Sequence, residues 1–135
     1  MKVLIDTNIL LDVLCNRPDF VENSLKVFQY CEAKQITGCI SALSIPNIAY
    51  IMRKELTQER TKEILTTLTS LFTVVELRKG DLLKAAELHF DDYEDALQAV
   101  CAARVKANYI VTRNIKDFKS SPVPAIKPSE LFERL

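Results

Sequence analysis

The sequence predicts an α/β protein with a three-layer fold, in which a short central parallel sheet is flanked by helices on both faces. Short apolar runs rich in β-branched residues alternate along the chain with longer segments of helical periodicity. The strand-like runs are apolar throughout, as is typical of parallel strands buried on both faces. The chain has only two glycines and no low-complexity linker, so we expect a single domain covering residues 1–135.

Each predicted element rests on a local pattern. Four short apolar runs predict strands at residues 3–5, 38–43, 72–77 and 108–112. Helical periodicity predicts helices at residues 8–15, 23–33, 45–54, 58–71, 81–89 and 93–106. Pro128, at a position that favours the first turn of a helix, predicts a last short helix at residues 129–134.

The composition narrows the function classes. Eighteen basic and eighteen acidic residues balance, so a nucleic-acid-binding surface would have to be local. The four cysteines are far apart among apolar neighbours, so we interpret them as core residues rather than zinc or disulfide cysteines. No apolar stretch is long enough for a membrane span, and no signal peptide is recognisable. We therefore expect a cytoplasmic protein that does not contact membranes.

Polar residues follow two of the predicted strands directly. Asp6 follows the first strand, and Thr112, Arg113 and Asn114 follow the strand at residues 108–112. In open α/β sheets, ligands bind just beyond the carboxyl ends of the strands. These side chains are therefore candidates for a functional site at one edge of the sheet.

Three groups of residues supply candidate acids, and each also has a purely structural interpretation. The groups are Asp6 with Asn8 and Asp12; Asp91, Asp92, Glu94 and Asp95; and Asn114 with Asp117. Asp6 or Thr7 could cap the first helix, and the acids of DDYED could favour a helix start. Asn114 and Asp117 could be ordinary turn residues. All three groups nevertheless fall at strand ends or helix starts on one predicted edge of the sheet.

Carboxylates crowded at one edge repel one another unless a cation lies between them. Asp6, Asp95 and Asp117 offer only oxygen ligands, which suit Mg²⁺ or Mn²⁺. Such a metal ion can activate water and neutralise charge on a phosphoryl oxygen. The acids therefore point to metal-dependent hydrolysis of a phosphodiester.

The chain resembles the PIN-domain ribonucleases, and among them bacterial proteins similar to the VapC-type toxins. The matching segments are LIDTNILLD, ISALSIPNIAYI, DYEDALQAVCAA and YIVTRNIKDF, in that order and spacing. The resemblance implies a PIN-like fold, cleavage of RNA, and Asp6, Asp95 and Asp117 as catalytic metal ligands. It also implies that Asn114 is a ligand, at a position where many members carry Asp.

The largest departure from the family pattern is in the middle segment. Family members usually carry a Glu in the helix after the second strand, and the equivalent residue here is Asn47. A neutral amide at this position should lower metal affinity. Glu94, as a further metal ligand, or Asp12 could supply the missing charge.

Basic residues near the candidate acids suit an RNA substrate. Arg53, Lys54, Arg104, Lys106, Arg113, Lys116 and Lys119 lie near helix ends or around the last acidic segment. Such residues contact phosphates, but they also complement helix dipoles. We expect substrate contacts from Asn8, Thr112, Arg113 and Lys116.

The leading hypothesis is a Mg²⁺- or Mn²⁺-dependent endoribonuclease, which could be the toxin of a toxin–antitoxin pair. The alternative is a catalytically weakened PIN-fold module that binds RNA or a protein. A phosphoacceptor signalling domain is disfavoured, because the acceptor Asp and the Lys that it needs are missing. The resemblance also implies a homodimer or an antitoxin complex. The early helices support this expectation, because they carry many apolar residues: Leu25, Val27, Phe28, Ile45, Ile48, Ile51 and Met52.

Overall fold

Five short parallel strands form the centre of the protein. The computed structural model describes residues 1–135, and its strands are β1 (Lys2–Ile5), β2 (Thr37–Ser41), β3 (Thr73–Val75), β4 (Tyr109–Val111) and β5 (Ala125–Ile126). Their order across the sheet is β3-β2-β1-β4-β5, so β1 lies in the middle and all pairs are parallel. This order brings the residues that follow β1 and β4 side by side.

Seven α-helices and one short 3₁₀ helix surround the sheet. They are α1 (Thr7–Leu14), α2 (Val21–Glu32), α3 (Ser44–Ile51), α4 (Gln58–Leu71), α5 (Lys79–Glu87), α6 (Tyr93–Arg104), the 3₁₀ helix Ile115–Phe118, and α7 (Pro128–Glu133). None of these helices combines the length and the apolar character needed to cross a membrane.

The core is divided into two layers by the alternation of side chains along β1. Val3 and Ile5 pack into a cluster with apolar residues of α1, α2, α3, α4 and α7. Leu4 faces the opposite side and packs with residues of α6, including Ala99 and Cys101. Helices therefore cover both faces of the sheet, which confirms the predicted three-layer α/β class.

The element boundaries agree with the sequence patterns within two residues, except at the end of α3. This helix ends at Ile51, three residues before the predicted end. The guanidinium of Arg53 donates to the Tyr50 carbonyl at 2.9 Å. In a continued helix that carbonyl would accept from the backbone N–H of Lys54. Here the guanidinium of Arg53 and its backbone N–H, at 3.2 Å, donate to the carbonyl instead.

One strand was not predicted. Strand β5 has only two residues, which pair with Ile110 and Val111 of β4. Two residues carry no detectable periodicity, so only the neighbouring strand defines β5.

The cysteines and most of the apolar residues of the early helices lie in the core. All four cysteines are free, and three of them are buried. Val27, Phe28, Ile48 and Met52 belong to the larger core cluster. The expectation of an excess apolar surface on the early helices was therefore wrong for these four residues.

Candidate active site

A cleft of about 330 Å³ lies beyond the carboxyl ends of β1 and β4. Five carboxylate side chains line it, and no Lys or Arg does: Asp6, Asp92, Glu94, Asp95 and Asp117. Asn8 and Asn47 contribute neutral polar groups to its wall, while Tyr50 and Ile51 add apolar surface. The cleft is thus strongly acidic, as the positions of the candidate acids in the sequence indicated.

Asp6 is buried at the inner end of this cleft. It occupies the residue before α1, but its side chain makes no capping hydrogen bond, so the capping interpretation was wrong for Asp6. Instead, Gln98 Nε2 donates to Asp6 Oδ1 at 3.0 Å, and Thr112 Oγ1 donates to Asp6 Oδ2 at 2.8 Å. Burial raises the pKa of Asp6 above its ordinary value, and these hydrogen bonds offset only part of that effect.

Asp95 lies within reach of the other acids. The helix predicted from residue 93 does begin there, and Asp95 is the third residue of α6. The pKa of Asp95 is raised to about 7. Burial is the largest cause, and the negative charges of neighbouring acids add to it: Asp6, Asp92, Asp117 and Glu94. The four neighbouring carboxylates therefore lie close enough to disfavour a charge on Asp95.

Asp92 has the structural role that the sequence allowed for this acidic group. Its carboxylate accepts hydrogen bonds from the backbone N–H groups of Glu94 at 2.8 Å and Asp95 at 3.3 Å. These are the free donors of the first turn of α6, so Asp92 caps the helix. The cap fixes the backbone from which Glu94 and Asp95 project.

The segment after β4 closes another side of the cleft. Asn114 and Asp117, at the start of and within the 3₁₀ helix, are exposed and line the cleft. The Asn114 backbone N–H donates to Thr112 Oγ1 at 3.0 Å. Because that hydroxyl in turn donates to Asp6, one side chain links this segment to the buried acid.

Three of the four expected substrate contacts have other partners. Thr112 is completely buried and holds Asp6, so it cannot contact a substrate in the cleft. Arg113 donates to the two carboxylate oxygens of Asp12 at 2.9 and 3.1 Å, and its guanidinium lies 3.8 Å from the centroid of the Phe20 ring. Asn8 lines the cleft, but its Oδ1 accepts a hydrogen bond from Arg17 at 3.3 Å. Lys116 is exposed and does not line the cleft.

Asp12 does not provide the charge that Asn47 lacks. Its carboxylate is fully buried on α1 and accepts further hydrogen bonds from Ser24 at 2.9 Å and Arg17 at 3.3 Å. Glu94 remains the nearer source of charge, because it accepts a hydrogen bond from Asn47 Nδ2 at 3.0 Å. Of the two alternatives, only Glu94 lines the cleft.

One of the basic residues near helix ends forms ion pairs outside the cleft. Arg104, in the last turn of α6, donates to Asp81 at 3.0 Å and to Glu76 at 3.2 Å. Burial favours a higher pKa for Asp81, but the hydrogen bonds from Arg104 and from the Arg78 backbone, together with the charges of both arginines, outweigh it and lower that pKa. Arg53, in contrast, stacks at 4.2 Å on the ring of Tyr50 beside the cleft.

Gln98 is the residue of the site that the sequence analysis missed. It lies three residues after Asp95, within the otherwise apolar run ALQAVCAA. A long polar side chain in a run of this kind was the available signal. Tyr50 and Ile51, which also line the cleft, carried no comparable signal because they fit the apolar pattern of α3.

The acids are close neighbours without forming a closed metal-binding cage. No group of three His, Cys, Asp or Glu side chains converges tightly enough to hold a metal ion by itself. Mg²⁺ usually binds through one or two carboxylates and keeps several waters. The carboxylate-rich lining, which contains no His or Cys, and the mutual repulsion at Asp95 fit a hard divalent cation bound in this more open way.

Comparison with solved structures shows the same architecture in bacterial toxin–antitoxin complexes. One similar chain comes from VapBC2 of Rickettsia felis bound to a fragment of promoter DNA. It is 24% identical to this chain, and the TM-score is 0.70. The match covers 94% of this chain and 98% of that one. A chain of a toxin–antitoxin complex from Klebsiella pneumoniae is 24% identical with a TM-score of 0.69, over 93% and 97%. A chain of DNA-bound VapBC from Salmonella typhimurium is 20% identical with a TM-score of 0.71, over 95% and 98%.

At these identities the solved structures establish the fold, and no curated protein matches the sequence significantly. The family is shown by the sequence itself, because the profile of the PIN domain matches residues 2–116. With its five-stranded parallel sheet and the acidic cleft beyond β1 and β4, this chain belongs to the PIN-domain family.

Proposed function

We propose that this protein is a metal-dependent endoribonuclease that hydrolyses RNA phosphodiester bonds with Mg²⁺ or Mn²⁺. The observation that carries the proposal is the buried Asp6 carboxylate, held by Gln98 and Thr112 in a cleft with four further acids. Burying a carboxylate among like charges is unfavourable unless a cation offsets them. Membership of the PIN-domain family supports nuclease chemistry at this position.

The donor set suits a hard cation. Asp6 and Asp95 would hold the ion directly, and Asp117, Asn114 and Glu94 would contribute further oxygens from the other walls of the cleft. When bound, the ion would supply the positive charge that activates water and neutralises the phosphoryl oxygen.

The side chains of this protein would then orient the reactants. The two hydrogen bonds to Asp6 fix the plane of its carboxylate, and the Asp92 cap fixes the helix turn that carries Asp95. Asn8 lines the cleft, where its amide can bond to RNA, and Lys116 provides an exposed charge for a flanking phosphate.

The test is cleavage of a fluorescent single-stranded RNA by the purified protein. We expect cleavage with Mn²⁺ or Mg²⁺, none with EDTA, and none by Asp6→Asn at any metal concentration. Glu32→Gln makes the corresponding acid-to-amide change on the exposed end of α2 and should cleave normally. Activity that survives both EDTA and Asp6→Asn would contradict the proposal.

A second candidate function is a catalytically weakened module that binds RNA or a protein without cutting. The Asn47 amide favours it, because a neutral group replaces an expected ligand and is already bonded to Glu94. Under this alternative the protein would bind RNA in gel-shift experiments, but it would neither bind Mn²⁺ measurably nor cut. Measuring Mn²⁺ affinity therefore separates the two functions.

We also propose that the protein is the toxin of a toxin–antitoxin pair and that it acts in the cytoplasm as a homodimer. The solved structures similar to it include toxin–antitoxin complexes.

Exposed Leu82, Leu83 and Tyr93 supply apolar surface for a second copy. An apolar groove between α3 and α4 offers a place for a partner segment. A monomer by sedimentation whose expression does not slow growth would contradict both proposals.

A further inference from the structure

The side chain of Gln98 is buried where α6 meets the end of β1. The residue is 4% exposed and lies about one helical turn after Asp95. Its Nε2 donates to Asp6 Oδ1 at 3.0 Å, which ties α6 to the residue that follows the central strand. This neutral amide therefore contacts one candidate ligand and stands on the helix that carries another.

The other end of the same amide is unsatisfied. Gln98 Oε1 is buried and is the one buried side-chain polar atom in the structure without a hydrogen-bond partner. Leaving a buried acceptor unpaired is unfavourable, because the oxygen has lost its hydrogen bonds to water without gaining others. The side chain lines the acidic cleft, so a donor that enters the cleft could satisfy this oxygen. An unpaired buried oxygen at such a place is commonly explained by a water or an ion.

Packing alone does not account for a glutamine at this position. Its neighbours in α6, Leu97, Ala99 and Val100, are buried and apolar. A methionine would fill a similar volume without a buried acceptor to satisfy. The feature that only the amide provides is the hydrogen bond to Asp6 together with an unpaired carbonyl oxygen on a residue that lines the cleft.

We propose that Gln98 is a positioning residue for the divalent cation site. Its N–H holds the Asp6 carboxylate in the orientation that ligation needs, and its Oε1 accepts a hydrogen bond from a water molecule of the occupied site. Groups that form hydrogen bonds to metal ligands commonly fix the orientation of those ligands. The inference rests on the proposed function only for the existence of a cation site, not for RNA cleavage.

The experiment measures Mn²⁺ affinity by calorimetry for Gln98→Met and for Gln98→Asn, which keeps an amide but is one methylene shorter. We expect each variant to bind Mn²⁺ about 10- to 100-fold more weakly than the unaltered protein. Gln29→Met makes the same chemical change on the exposed face of α2 and should bind Mn²⁺ normally. In RNA cleavage at saturating Mn²⁺, kcat should fall while KM stays near its original value.

A double-mutant cycle with Asp6→Asn tests whether Gln98 acts through Asp6. If it does, adding Gln98→Met to Asp6→Asn should weaken Mn²⁺ binding less than it does in the unaltered protein. A purely structural role would lower the free energy of unfolding of the metal-free variants and leave their Mn²⁺ affinity unchanged, which would overturn the inference.

The outcomes for the inference and for the proposed function are distinguishable. If the unaltered protein binds Mn²⁺ in a Gln98-dependent way but cuts no RNA, the inference stands and the proposed function fails. If it cuts RNA and Gln98→Met binds Mn²⁺ normally, the inference fails alone. Absence of Mn²⁺ binding to the unaltered protein would overturn both.

Discussion

Asn47 on α3 donates a hydrogen bond from its side-chain amide to the carboxylate of Glu94 on α6, with a donor–acceptor distance of 3.0 Å. Both side chains line the acidic cleft. The bond joins two helices that both line the cleft, and it partly satisfies Glu94 without adding charge. The resemblance described above implies a carboxylate at this position, and the residue present is a neutral amide bonded to a neighbouring acid.

Replacing Asn47 with Glu should increase metal affinity. The added carboxylate would replace a neutral donor beside Glu94, and a nearby unit charge is worth on the order of 1 kcal/mol or more at an effective dielectric near 20. We expect Mn²⁺ to bind about tenfold more tightly to Asn47→Glu and RNA cleavage to increase. Asn47→Gln, which extends the side chain without charge, is the matched control. Unchanged Mn²⁺ binding with a lower melting temperature would show that Asn47 has a structural role only.

Asp6→Asn and Asp95→Asn should each reduce metal-dependent RNA cleavage by at least about 100-fold. Each change removes a ligand charge, and the charge stabilisation that a metal provides in such reactions is several kcal/mol. The fold of both variants should persist, because neither change removes apolar packing. Circular dichroism and single-turnover cleavage measure the two effects. Full activity in either variant would contradict the assignment of that residue to the site.

The stability of the metal-free protein should fall as the pH rises from about 4 to about 7. The folded protein retains the Asp95 proton up to a pKa of about 7, whereas the unfolded chain loses it near the ordinary value of 3.8. The contribution of the protonated group is thus complete below the unfolded pKa and is lost as the pH approaches 7. In EDTA at pH 8, Asp95→Asn should melt at a higher temperature than the unaltered protein. At pH 4 the two melting temperatures should nearly coincide. A difference in melting temperature that stayed the same at all pH values would show that deprotonation of Asp95 is not the cause.

Arg113→Gln should lower the free energy of unfolding by about 3 kcal/mol. The Asp12 carboxylate has no solvent exposure, so removing its bidentate partner leaves a buried charge with only Ser24 and Arg17. Urea unfolding measures the loss. Lys116→Gln changes an exposed residue of the same segment and should alter stability by less than about 0.5 kcal/mol. If Arg113→Gln were equally stable, the guanidinium would be available for RNA, as the sequence analysis expected.

The order of elements and the location of the acidic cleft could be predicted from local features. The apolar run before Asp6 predicted a buried strand, and a carboxylate directly after it indicated a ligand site at the sheet edge. The periodicity of residues 58–71 predicted α4 with its correct ends. Such patterns are visible in the sequence because backbone geometry and burial repeat along the chain itself.

Which acids remain free was decided only by the tertiary structure. Asp6 and Asp12 are both buried acids near the start of the chain, yet Asp12 is neutralised by arginines, whereas Asp6 receives only neutral donors. The partners Gln98 and Arg113 lie 92 and 101 residues further along the chain. No local periodicity encodes such pairs, because they depend on how the sheet order brings β1, β4 and α6 together in space.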